Sequence, residues 1–256
     1  FPLLVQATWA NAESCDETLK KVESLYNKTV DSCGQDPASD CSGLLVRGTH
    51  RADPAKGQKW DVWNPSPKAV EIGTFAASYM RADGISYEDP GMSTQNGYLI
   101  TPRDLIRDPE TPAHVYCALP NDAWPDLRND RGCGDNKNTA PTEAVCQSMA
   151  PPILSPNAWL AHFSKFNNNR QQDQLQCGFN MRNPMSSKER VDAFRNFLGA
   201  RKVINSREFQ TQTELRLGNP KTDELPILAF FYSDQRGLND AMANQRDYKA
   251  KTGKDR

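Results

Sequence analysis

The stretch Leu44-Leu45-Val46-Arg47-Gly48-Thr49 is a short apolar run that ends on an arginine and breaks at a glycine. Aliphatic residues bounded by a glycine predict a strand, here over residues 42–49. The arginine carries a permanent charge and a rigid fork of donors that fits a phosphate or a carboxylate. The glycine lets a ligand approach the backbone closely. The stretch therefore predicts a ligand-binding strand end, although strands also end on arginines that contact only solvent.

The bulk composition argues against several classes of partner. The chain has 256 residues, 37% of them hydrophobic, and its 31 basic and 32 acidic residues give a net charge of −1. Because no strong field of either sign is present, we expect no nucleic acid as partner. Beyond residues 1–12 no stretch approaches the roughly 20 apolar residues of a membrane-spanning helix, so we also expect no membrane span.

The cysteine content is high for a reducing compartment. Seven cysteines are present, and no two have CxxC spacing: Cys15, Cys33, Cys41, Cys117, Cys133, Cys146 and Cys177. Disulfides are therefore the leading interpretation, ahead of metal binding. Cys33 and Cys41 bracket one turn-like polar segment, and Cys133 and Cys146 bracket another, so each pair could form a local disulfide. Cys117 and Cys177 would remain for a long-range bridge, and Cys15 would be free or paired between chains.

The first residues predict export. Residues 1–5 are largely apolar, and Ala10-Asn11-Ala12 has the small-x-small form that signal peptidase cuts after. We interpret residues 1–12 as the remnant of a secretory signal peptide, with a short buried strand as the alternative. Residues 13–256 are then a single domain that is secreted from the cell.

Periodicity and turn residues predict an α+β chain. Ser14 and Glu17 form a capping box that predicts a helix over residues 15–30, whereas Pro65 and Pro67 argue against a helix or a central strand at residues 60–67. Further strands are predicted at residues 74–80, 97–100, 114–119, 213–217 and 225–232, and helices after the caps Asn157 and Ser186. A polar, lysine-rich end follows. Strands without regular βαβ alternation predict mixed, mainly antiparallel sheets with several helices.

The chain lacks the common phosphate, hydrolase and metalloprotease motifs, such as GxxxxGK[ST], GxGxxG, GxSxG and HExxH. A set of candidate site residues remains, and it occurs in a fixed order. It consists of Arg47 at a strand end, Ser78 in the strand 74–80, and Gln212-Thr213-Glu214 at the start of a late strand. Residues two apart on a strand share a face, so Gln212 and Glu214 would project side by side. A carboxylate in such a pair suits a ribose, because it can hold a hydroxyl and stabilise positive charge on the anomeric carbon.

This order of elements resembles that of the bacterial ADP-ribosyltransferase toxins, which split NAD at the nicotinamide bond. A closer resemblance, from about Leu25 to Gly253, is to the secreted halovibrin group of ADP-ribosyltransferases or NAD glycohydrolases. Four segments carry it: Cys41-Ser-Gly-Leu-Leu-Val-Arg-Gly-Thr49, Trp63-Asn-Pro-Ser-Pro67, Cys177-Gly-Phe179 and Glu214-Leu-Arg-Leu217. The resemblance implies an ADP-ribosyltransferase-like split β-sandwich, with NAD as substrate and no metal.

The resemblance also implies roles for the site residues. Arg47, followed by Gly48 and Thr49, would bind the NAD pyrophosphate or the adjacent ribose. Glu214 would bind the nicotinamide ribose and stabilise the oxocarbenium ion. Gln212 would orient the acceptor, which is either a side chain of a target-cell protein or water.

Two positions depart from the family pattern. The middle motif of the family is Ser-Thr-Ser, whereas this chain has Ala76-Ala77-Ser78, so Ser78 alone would hold the catalytic carboxylate by a hydrogen bond. Many members that modify arginine have a glutamate where this chain has Gln212, which makes arginine a less favoured acceptor.

The sequence therefore predicts a secreted, disulfide-stapled enzyme that cleaves NAD and passes ADP-ribose to a protein or to water. One alternative is a non-catalytic secreted binding or adhesion module, and another is a hydrolase that uses two carboxylates on a glycan or a nucleic acid. Taken singly, Arg47 could also be a charge at a strand end, and Gln212 and Glu214 could lie on the solvated face of an edge strand. Trp60 and Trp63 could stack on a base or on nicotinamide, with packing in the core or a loop as the alternative.

Overall fold

The computed structural model describes residues 15–28, 43–49, 51–65, 74–80, 82, 95–100, 115–119, 150–154, 158, 179–180, 214–218, 225 and 227–256. These residues define an α+β chain, as predicted. Its helices are α1 (Cys15–Asn27) and α2 (Gln235–Thr252). Its strands are β1 (Leu44–Gly48), β2 (Thr74–Met80), β3 (Asn96–Ile100), β4 (Val115–Leu119), β5 (Phe179–Asn180), β6 (Glu214–Gly218) and β7 (Ile227–Tyr232).

The seven strands form one sheet in the order β5-β4-β6-β2-β1-β3-β7. Every pair of neighbouring strands is antiparallel, which confirms the predicted strand direction. The apolar run that opened the sequence analysis is β1, paired with β2 on one side and with β3 on the other. The described strands belong to this single sheet, so the split β-sandwich implied by the resemblance stays a prediction.

Helix α1 covers one face of the sheet near β1. Its partly buried residues Val22, Leu25 and Tyr26 pack on a cluster formed by Leu44, Val46 and Leu228. The backbone N–H of Gly43 donates to the carbonyl of Leu25 at 2.7 Å, and that of Ala82 donates to the carbonyl of Tyr26 at 2.8 Å. The last carbonyls of a helix lack partners within it, so these bonds satisfy them and fix the end of α1 to the sheet.

Helix α2 lies in the polar, lysine-rich end of the chain, where no helix was predicted. Asp234 caps its first turn, accepting from the backbone N–H of Gly237 at 2.7 Å, and Gly253 ends it in the left-handed conformation with φ 72°. Its buried residues are Gly237, Ala241, Asn244 and Tyr248. They recur at helical spacing, but the first three are small or polar, so apolar periodicity does not reveal the helix.

Aromatic rings fill the space between α2 and the sheet. Tyr248 is fully buried, and its ring makes edge contacts with Phe230 of β7 and with Trp63, at centroid distances of 5.9 and 5.0 Å. The ring of Phe230 makes an edge contact with Tyr98 of β3 at 6.4 Å. The Tyr248 hydroxyl donates to the carbonyl of Leu225 at 2.7 Å, so burying this phenol leaves no polar group unsatisfied.

Several predicted features lie outside the described residues. These are residues 1–12, Gln212, the helix after Ser186, most of the helix after Asn157, and the cysteines other than Cys15 and Cys117. Ala158, the described residue of the helix after Asn157, is helical. Cys15 has a free, exposed thiol. None of the helices in the described ranges is long and apolar enough to cross a membrane.

Candidate functional site

The strands that carry Arg47, Ser78 and Glu214 are neighbours in the sheet. β1 pairs with β2, and β2 pairs with β6, so three segments distant in sequence form three adjacent strands. Ser78 lies directly opposite Glu214 on one side and opposite Val46 on the other. Adjacent strands are about 4.8 Å apart, so the Glu214 backbone lies roughly 10 Å from β1.

Arg47 lies one position along β1 from the row that contains Ser78 and Glu214. Its direct partner on β3 is Tyr98, whereas Val46 shares the row of Ser78. Successive strand positions alternate between the two faces of a sheet, so the Arg47 position belongs to the face of Tyr98 and the Glu214 position to that of Val46. The register therefore does not support contact of Arg47 and Glu214 with one ligand. Such contact stays a prediction.

The surroundings of Arg47 combine a buried phenol with a close approach of two strands. Arg47 is half-buried and Tyr98 is buried. Gly48 pairs with Gly97, and a Cβ atom on Gly97 would lie 2.2 Å from the Arg47 carbonyl oxygen and 2.7 Å from the ring of Phe231. A glycine is thus required on β3 for the strand end of Arg47 to pack as it does.

Burial raises the pKa of Tyr98 to about 12, and the charge of Arg47 opposes that rise. The folded state favours the neutral phenol of Tyr98. The contribution of this preference to the free energy of unfolding is therefore complete below pH 10 and is lost as the pH rises to about 12. We therefore expect wild type to lose up to about 2 kcal/mol of unfolding free energy, relative to Tyr98→Phe, over that range. Melting temperatures of both proteins from pH 8 to 11.5 test this. Parallel pH profiles would contradict the expectation, and any alkaline loss that both share comes from other groups such as Tyr248, whose pKa burial also raises.

Thr49, predicted to contact NAD, is bonded inside the protein. The residue is 4% exposed, and its hydroxyl donates to the side-chain oxygen of Asn96 at 2.6 Å. Its backbone N–H donates to the carbonyl of Asn96 at 3.2 Å. Asn96 in turn donates through Nδ2 to Oδ2 of Asp61 at 3.4 Å. The end of β1 is therefore held to the start of β3 by backbone and side-chain bonds together.

Asn244 of α2 completes this set, and we call Thr49, Asp61, Asn96 and Asn244 the amide network. All four residues are buried. Asn244 donates through Nδ2 to the carbonyl of Asp61 at 2.6 Å and to Oδ1 of Asn96 at 3.4 Å, and its Oδ1 accepts from the backbone N–H of Trp63 at 2.9 Å. Sequence analysis did not find the network, because Asn96-Gly97 is typical of a turn and Asn244 lies in the helix that was missed.

Trp63 packs in the core, as the alternative interpretation held. It is buried against Tyr248, its indole N–H donates to Asp247 at 2.9 Å, and the Lys251 ammonium lies 5.5 Å from its ring centre. A stacking role for Trp63 is therefore not compatible with its position. Trp60 is half-buried, and its indole nitrogen has no hydrogen-bond partner among the residues that the structure describes. Stacking by Trp60 stays a prediction.

Carboxylates gather near the first turns of α2. The pKa of Asp240 is raised by burial first, then by the charges of Asp61 and Asp234, while Arg236 opposes the rise. Asp61 and Asp234 thus place two further carboxylates near Asp240, with Arg236 as the opposing charge. Across the described ranges, no group of three or more His, Cys, Asp and Glu side chains is arranged to hold a metal ion.

No family model, curated protein or solved structure matches the chain. Its function must therefore be argued from its own residues.

Proposed function

We propose that the protein is an ADP-ribosyltransferase or NAD glycohydrolase, which cleaves the bond between nicotinamide and ribose in NAD. The observation that carries the proposal is the adjacency of β1, β2 and β6, with Ser78 directly opposite Glu214. Three short motifs chosen for this chemistry from separate parts of the sequence occupy neighbouring strands. Of the three candidate residues, Ser78 and Glu214 share one row and hence one face of the sheet, as a hydroxyl that supports the carboxylate requires.

The roles follow from the chemistry of each group. A carboxylate at Glu214 would stabilise the positive charge that develops on the ribose as nicotinamide leaves. Ser78, as its cross-strand partner, would hold that carboxylate. Arg47 would supply the permanent charge for the pyrophosphate. Gln212 would orient the acceptor, either a protein side chain or water.

The experiment is incubation of the protein with NAD, with nicotinamide followed by chromatography. We expect release with water or with an added protein mixture as acceptor. We also expect NAD at 100 times its dissociation constant to raise the melting temperature by roughly 5 °C. Absence of release with every acceptor would overturn the enzyme class. Absence of both release and thermal shift would favour a non-catalytic binding module.

We further propose that the protein is exported as a single domain, from residue 13 onward, and is stapled by disulfides. Support comes from the seven cysteines without CxxC spacing, of which Cys15 is free and exposed in the structure. An oxidising compartment is where such bridges persist.

Thiol titration tests the disulfides. If six cysteines are paired, the unfolded, unreduced protein should give one thiol per chain, and the reduced protein seven. Each local disulfide should contribute about 3 kcal/mol to the free energy of unfolding, so reduction should lower the melting temperature by several degrees. Seven thiols before reduction would contradict the proposal. Cys15→Ser is the matched control, because it should remove the single free thiol and leave the melting temperature unchanged.

A further inference from the structure

We propose that the amide network positions the strand end that carries Arg47, and thereby sets how tightly the protein holds NAD. This inference rests on the proposed function. It assigns a positioning role to Asn244, a residue of α2 far in sequence from every residue of the predicted site.

The first step is the link from Arg47 to Asn96. Thr49 follows Arg47 by two residues, and both its backbone N–H and its hydroxyl bond Asn96. The next residue of β3, Gly97, lies so close to the Arg47 carbonyl that not even a Cβ atom would fit between them. The end of β1 can therefore neither approach β3 more closely nor move away without losing buried hydrogen bonds.

The second step is the link from Asn96 to α2. Asn244 is fully buried, and its amide uses its oxygen and its nitrogen on three partners: Trp63, Asp61 and Asn96. An apolar residue in this place would remove the bonds that the Trp63 N–H and the Asp61 carbonyl make to Asn244. A fully bonded amide instead permits one arrangement of the segments it joins, because displacing any of them leaves a buried polar atom unpaired.

The third step is the consequence for a ligand. A guanidinium that binds a pyrophosphate in two-point fashion must be held within about 0.5 Å of the productive position. A misplacement of about 1 Å in a site can reduce activity by as much as 100-fold. The amide network fixes the backbone two residues from Arg47, so loosening it should weaken NAD binding more than it changes the chemical step.

The test compares two loosened variants with two matched controls. Thr49→Val removes the hydroxyl at nearly constant shape, and Asn244→Asp removes amide donors from a residue that no ligand can reach. Thr49→Ser keeps the hydroxyl, and Asp247→Asn changes a residue on the same helix outside the amide network. We expect KM for NAD to rise about tenfold in the first two, with kcat unchanged, and to rise less in Thr49→Ser than in Thr49→Val. In Asp247→Asn, KM should stay at the wild-type value.

The outcomes separate this inference from the function it rests on. Wild-type protein that releases no nicotinamide overturns the proposed function, whatever the variants do. Active wild type with unchanged KM in folded Asn244→Asp overturns the positioning role alone, even if the melting temperature falls. If Asn244→Asp does not fold, the comparison of Thr49→Val with Thr49→Ser decides, and equal KM values overturn the inference.

Discussion

Glu214→Gln is expected to reduce the rate of nicotinamide release from NAD by about 100-fold or more. The glutamine keeps the size of the side chain and its ability to bond a ribose hydroxyl, but it removes the negative charge. That charge matters most when positive charge develops on the ribose, so kcat should fall and KM should change little. Rates of nicotinamide release at saturating NAD measure the effect.

Two further variants make this result specific. Glu23→Gln removes a carboxylate from an exposed position of α1 and should leave the rate unchanged. Arg47→Lys should raise KM with little effect on kcat, because lysine keeps the charge and loses the fork. If the rate of nicotinamide release falls less than about threefold in Glu214→Gln, Glu214 takes no part in the chemical step. A wild-type KM in Arg47→Lys would show that the Arg47 guanidinium does not bind NAD in two-point fashion.

Gly97→Ala is expected to lower the free energy of unfolding by about 3 kcal/mol or more, and the melting temperature by roughly 6–12 °C. The added methyl would lie 2.2 Å from a backbone oxygen of Arg47 and 2.7 Å from the ring of Phe231. Backbone atoms cannot rotate away as a flexible side chain can, so β1 and β3 would have to separate. Thermal unfolding followed by circular dichroism measures the loss.

Gly57→Ala is the matched control for Gly97→Ala. It adds the same methyl where nothing lies within 4 Å, at a glycine with φ +72°. Its cost should be only the backbone strain of about 1 kcal/mol. Equal losses in the two variants would show that β1 and β3 are not packed as closely as the structure indicates.

The strands could be predicted from the sequence because their signals are local. β1, β2, β3, β6 and β7 each begin within two residues of the predicted start. The apolar and β-branched residues of such a strand stand next to one another in the sequence, with turn residues at their ends. Helix α2 was missed for the converse reason. Its buried residues are Gly237, Ala241, Asn244 and Tyr248, so only one large side chain marks the buried face in the sequence.

The strands β1, β2 and β6, which carry the three candidate motifs, are neighbours in the sheet, but their register could not be predicted from those motifs. Nothing in those motifs fixes which residue lies opposite which, and a shift of one residue exchanges the faces of a strand. The one-position offset between Arg47 and the row of Glu214 is a property of this register, so it could not be predicted. The amide network was equally hidden, because its residues meet only when four distant segments fold together.

Helix α2 also has a consequence for how the chain folds. Trp63 is hydrogen-bonded to residues 181 and 184 positions later, and β3 pairs with β7 just before that helix. Such a high contact order implies slow folding, because long loops must close before these contacts can form. During synthesis, the half of the sheet around β1 and β3 cannot reach its final packing until residue 252 has emerged. The complete environment of Arg47 can thus form only after α2 has been synthesised.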